Sequence, residues 1–158
     1  MGIFGKKKEV IKVALQHTDG LKGYGGAMVK LELDDINQCI VISPTIYKIA
    51  SVNLHYENIL NIASVSEKEI IEKNKSTVGR ALAGGVVLGP LGAIVGGMSG
   101  IGSNKSNKVN YYTVINYEVD GETKVLSFKT IGMANWTGFI QSVKSRIKVT
   151  ELESEIFI

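Results

Sequence analysis

Residues 111–129 read YYTVINYEVDGETKVLSFK, and this stretch decides the fold. Tyr111, Thr113, Ile115, Tyr117 and Val119 recur with period two, the spacing that puts alternate side chains on one face of a strand. Asp120-Gly121 follows, a dipeptide that accepts positive φ at both central positions of a tight hairpin. A two-residue loop sets Val119 opposite Glu122, Ile115 opposite Leu126 and Thr113 opposite Phe128. Apolar partners then meet on one face, so loop length and hydrophobic pattern agree on one register.

Downstream, Trp136, Phe139, Ile140, Val143 and Ile147 fall at i, i+3, i+4, i+7 and i+11, a continuous apolar stripe along one helix. Lys144, Arg146 and Lys148 are expected in its last turns, where cations suit the negative end of the helix dipole. Gly138 costs about 1 kcal/mol relative to Ala inside a helix, and is read as allowing close approach to a strand. Upstream, Val29, Leu31 and Leu33 alternate with Lys30, Glu32 and Asp34, a strand with one buried face. Asp34 to Asn37 is a turn, Cys39 to Ile42 a second strand, and Pro44 stops it because proline donates nothing to a ladder. Thr45–Ala50 and Leu54–Val65 are read as two further extended stretches.

Composition sets the limits. The 158 residues suit one domain, and 44% hydrophobic against 21% charged residues supplies a core and argues against global disorder. The single Cys39 excludes a disulfide framework and any multi-cysteine metal site. A net charge of +3 and only two arginines, with Tyr111, Tyr112 and Tyr117 accounted for by strand faces, give no reason to expect nucleic acid as a partner. The start, MGIFGKKKEV, has no apolar run of signal-peptide length, so a cytoplasmic protein is expected. The N-x-S/T triplets at Asn74, Asn104 and Asn135 then lose their meaning as glycosylation sites.

Glycine is the anomaly. The chain holds 18 Gly against 2 Pro; nine of the glycines lie between Gly79 and Gly102, and no charged residue occurs from Ala81 to Asn104. Ala81, Gly85 and Gly89 are spaced by four, as are Gly92, Gly96 and Gly100, so each set offers a helical face on which two backbones can approach closely. Gly89-Pro90 breaks the run, which predicts a tight helical hairpin over about 79–88 and 91–101. Each arm spans only about 15 Å at 1.5 Å per residue, half a hydrocarbon core, so a monotopic insertion fits better than a pore. Lys73, Lys75 and Arg80 before it, with Lys105 and Lys108 after it, would then sit at anionic headgroups. Self-association through the small-residue faces is the first expectation, membrane contact the second and packing on its own domain the third.

The segment from Ser76 to Gly100, STVGRALAGGVVLGPLGAIVGGMSG, followed by basic residues and by YTVINY from Tyr112, resembles small proteins of Gram-positive bacteria and their phages. Those proteins are associated with PH/GRAM-like folds, and the resemblance covers roughly residues 25–148. It implies an α+β, mostly antiparallel architecture: a PH-like barrel, capped by a C-terminal amphipathic helix and interrupted by a glycine-rich helical hairpin. It implies a binding role, with no catalytic residue to carry over. The expected organisation is a basic N-terminal segment 1–23, the domain at 24–148 with an insertion at 66–109, and an acidic tail 149–158.

Other motifs fail. A Walker A loop ending at Lys105-Ser106 needs glycine where Ser99 and Asn104 stand. Gly23 to Gly26 leads into a strand, so no helix N-terminus waits for a pyrophosphate. Gly2 lacks the Ser or Thr at position 6 that myristoylation prefers, since Lys6 is there. Glu67, Glu69 and Glu72 interleave with Lys68, Lys73 and Lys75 and are read as a solvated face. His17, Asp19, His55 and Cys39 form the only set from which a catalyst can be imagined, and nothing in their spacing asks for one. No metal and no cofactor is expected. The expectation is a non-enzymatic binding or adaptor module that forms homo-oligomers or meets a protein partner. Its alternatives are a protein peripheral to the inner face of an anionic membrane, and a phage-derived factor that occupies a host or defence protein.

Overall fold

The computed structural model describes residues 10–45, 49–74, 110–132 and 135–154. Seven strands form one sheet: β1 Lys12–Asp19, β2 Met28–Asp34, β3 Cys39–Pro44, β4 Val52–His55, β5 Ile59–Ser66, β6 Tyr111–Val119 and β7 Glu122–Thr130. Their order is β4-β3-β2-β1-β7-β6-β5, antiparallel at every step. Among the described residues two helices accompany them, α1 at Glu67–Asn74 and α2 at Trp136–Ser154, with a 3-10 turn at Tyr56–Asn58 between β4 and β5.

The β6–β7 hairpin has the register its turn demands. Thr113 faces Phe128, Ile115 faces Leu126 and Val119 faces Glu122. Asp120 and Gly121 both take positive φ, +52° and +78°, the twist that lets a two-residue loop close on right-handed strands. The β2–β3 turn closes differently. Asp34 accepts from the Ile36 and Asn37 amides and from the Asn37 side chain, and these bonds, the side-chain one first, hold its carboxyl below the usual range.

Alternate side chains of all seven strands share one core with α2. Leu15, Leu31, Ile42, Ile62, Ile115 and Phe128 meet Phe139, Ile140 and Val143 there, and Ile147 closes its far end. The helix lies against β5, the 3-10 turn and β1. Trp136 is half-buried against the same core, with its indole N–H donated to Ser64 Oγ at 3.2 Å.

Several expectations need correction. The ladder is open: β4 and β5 stand at its two ends, joined through the 3-10 turn, so the sheet is not a closed barrel. The domain starts before residue 24, because β1 lies mid-sheet between β2 and β7. Its alternation of Val13, Leu15 and His17 with Lys12, Ala14 and Gln16 is hidden between a lysine run and four glycines. Leu54–Val65 is two strands broken by the 3-10 turn; of Thr45–Ala50, residues 46–48 lie outside the described part and the rest carry no strand.

The helix also runs past residue 148 to Ser154, so the expected acidic tail begins inside it. Arg146 is therefore not in the last turn. It reaches the β2–β3 turn instead, gripping Asp35 through Nε at 2.6 Å and Nη2 at 2.8 Å, while the Tyr56 hydroxyl donates to the same carboxylate at 2.9 Å. Burial first, then that bond, raises the Tyr56 phenol well above its ordinary value. Gly138 approaches no strand: its space is taken by the side chain of Asn135, which caps the helix by accepting from the Gly138 amide at 3.1 Å.

Candidate functional site

In sequence the glycine-rich segment lies between β5 and β6, and these strands are neighbours. Ser66, the last residue of β5, pairs with Tyr111, the first of β6, so the two strands that flank the glycine-rich segment meet there. The Glu67 amide donates to the Asn110 carbonyl at 2.8 Å, and Asn110 Nδ2 donates back to Glu67 Oε2 at 2.8 Å. Beside this closure Tyr111, 38% exposed, stacks on Trp136 with ring centroids 5.8 Å apart.

Helix α1 fixes the first arm. Ser66 Oγ accepts from the Glu69 amide at 3.2 Å, a side-chain cap on one of the first-turn donors that no helix can satisfy internally. Ile70 is then fully buried against Ala63, Val65, Tyr112 and Val114 on the sheet face opposite the main core. This second cluster explains why β6 is buried on both faces from Tyr112 to Asn116 and so departs from simple alternation. Ile70→Ala is expected to cost about 2–3 kcal/mol, read by urea unfolding, whereas Glu72→Ala, at an exposed position of the same helix, stays within about 0.5 kcal/mol.

A family model described as a glycine zipper containing PH domain matches residues 21–128. The chain belongs to that family. No curated protein and no solved structure matches the chain. The matched span takes in the insertion and the strands from β2 into β7, and the fold adds β1 before it and α2 after it. PH-like domains generally act as binding modules and not as catalysts.

In this PH domain the four residues of the catalytic alternative fall into two separated pairs, Cys39 with His55 and His17 with Asp19. Cys39 pairs with Asp34 and with His55, at the end of the sheet where Leu33 bonds Ile11. His17 stands at the other end of β1, its amide bonded to Ala27. Six residues of strand separate the two levels, about 20 Å. Cys39 is fully buried, and burial first, then the Asp34 charge, raises its thiol, which makes it a poor nucleophile. His55 is exposed. Among the described residues no cluster of three or more His, Cys, Asp or Glu is placed to hold a metal.

Of the residues expected to carry the interaction, Lys73 lies in the last turn of α1. Ala81, Gly85, Gly89, Gly92, Gly96 and Gly100, with Lys75, Arg80, Lys105 and Lys108, lie outside the described residues. Among the described residues no helix is long and apolar enough to cross a membrane. The anchoring residues Ser66, Glu67, Ile70 and Asn110 escaped the sequence reading. Ser66-x-x-Glu69 followed by Ile70-Ile71 is a helix-start signature, and it was available. Nothing in the sequence pointed from Glu67 to Asn110, 43 positions away.

Proposed function

We propose that this PH domain is a non-enzymatic binding module that self-associates, or meets a protein partner, through its glycine-rich insertion. The observation that carries the reading is the closure at the insertion's root, Ser66 beside Tyr111 and Glu67 bonded to Asn110. It supports an insertion offered as one unit from a folded platform, with the spacing of Gly85 and Gly89 and of Gly92, Gly96 and Gly100 supplying faces for close backbone contact. Glycine-rich helices are weak alone, at about 1 kcal/mol per glycine relative to alanine, so such faces call for a partner surface.

Sedimentation of the full chain, with and without anionic vesicles, tests this. The expected result is a species larger than one chain without lipid, and a smaller one when Gly85, Gly92 and Gly96 are all replaced by Leu, with circular dichroism of the sheet retained. Pelleting with vesicles that survives the three leucines but is lost on Val87→Asp with Ile94→Asp would move the reading to a membrane-peripheral protein. A strictly monomeric chain that ignores vesicles would defeat both.

A further inference from the structure

His17 is 3% exposed, and both of its ring nitrogens are spent on the turn that joins β1 to β2. The Leu21 backbone N–H donates to Nε2 at 3.0 Å. Nε2 is therefore the bare nitrogen, and Nδ1 carries the proton it donates to the Gly25 carbonyl at 2.5 Å. One donor and one acceptor match a neutral imidazole with nothing left over. A second proton would sit on Nε2 and face the Leu21 N–H, donor against donor. The turn and the charged ring exclude each other.

We propose that His17 makes the β1–β2 turn an acid-released latch, closed by the neutral ring and opened when the ring takes its second proton. The sign follows from linkage: the closed state has no place for that proton, so acid favours the open one. The surroundings offer no rescue for a charged ring. It packs on Tyr24 at 5.7 Å between centroids and edge-on to Phe128 of β7 at 5.9 Å, both uncharged. The charged residues nearest along its own strand and turn are Asp19, half-buried, and Lys22, exposed. On β7 the flanking Lys129 sits opposite Gln16 and belongs to the other face, and Ser127 sits opposite Asp19. β2 adjoins through Ala27 and Met28, neither titratable.

The latch holds more than its own turn. Tyr24, carried between the two bonds that His17 makes, donates its hydroxyl to the Ala50 carbonyl at 2.7 Å in the β3–β4 connection. Release of the turn therefore frees two neighbouring connections at one end of β1–β3, while the root of the insertion at Ser66 and Tyr111 is untouched.

Amide exchange in the full chain carrying His55→Gln, which leaves His17 the one histidine, tests this between about pH 8 and about pH 5. With rates corrected for intrinsic pH dependence, protection of Leu21, Tyr24 and Ala27 is expected to fall about tenfold, while Thr113 to Asn116 keep theirs. Ring 15N shifts should report protonation of Nε2 over the same range. His17→Gln in that background, whose amide can donate and accept without titrating, should hold the turn at every pH. Protection at Leu21 that persists once Nε2 is protonated overturns the latch. So does a ring that stays neutral until the whole domain unfolds, and this wild-type-ring measurement stands even if His17→Gln fails to fold.

Discussion

Phe139→Ala lowers the unfolding free energy by about 3–5 kcal/mol, read as a shift of the urea midpoint with an unchanged slope. The side chain is 2% exposed in the first turn of α2, which packs on the main core. Its removal leaves a hole in the main core, against a sheet whose ladder bonds resist inward collapse. Ending the chain at residue 134 is the limiting case. It removes Trp136, Phe139, Ile140, Val143 and Ile147 together, each contributing about 1.5–3 kcal/mol of burial where fully enclosed, and it also removes the Arg146 grip on Asp35. Cooperative unfolding is then expected to vanish, since domains of this size rarely hold more than about 5–15 kcal/mol in total. A sharp transition in the truncated chain would show that the sheet is self-sufficient and α2 an accessory.

Gly20→Ala is the second large effect, a loss of about 2–5 kcal/mol at a position with almost no side chain to lose. Gly20 follows β1 directly, beyond the bulge between His17 and Asp19, and sits at φ +112°. An added Cβ would lie 2.5 Å from the Val125 carbonyl oxygen and 3.0 Å from the Leu126 Cα, both backbone of β7, which cannot step aside without breaking the β1–β7 or β6–β7 ladder. Backbone strain of about 1–2 kcal/mol and overpacking of about 1–3 kcal/mol then add. Gly23→Ala is the internal control. It has a positive φ of +86° but nothing within 4 Å, so it should show the strain alone, about 1–2 kcal/mol. Thermal or urea melts of the two variants side by side separate clash from strain; equal losses would mean that β7 yields at Val125.

The sequence by itself determined whatever is set by neighbours a few positions apart. The Asp120-Gly121 loop and the alternation around it fix the β6–β7 register to the residue. The same holds for the buried face of β2 and for the stripe from Trp136 to Ile147. Period and turn chemistry act locally, so they survive without knowledge of the rest of the chain. Tertiary structure alone decided which of these pieces touch. β1 is central because its two partners come from opposite ends of the chain, and a lysine run beside glycines conceals it. Arg146 serves Asp35, 111 positions away, and not the helix end, because α2 crosses the β2–β3 turn on its way. Cys39 and His55 are register partners while His17 stands about 20 Å off, a separation that follows from strand order and that no spacing encodes. At the candidate site the small-residue pattern from Ala81 to Gly100 was legible, whereas its anchorage by Ser66, Glu67, Ile70 and Asn110 was not. That anchorage exists only once β5 and β6 have paired, since pairing creates the second apolar face for Ile70 and brings Asn110 within a hydrogen bond of Glu67.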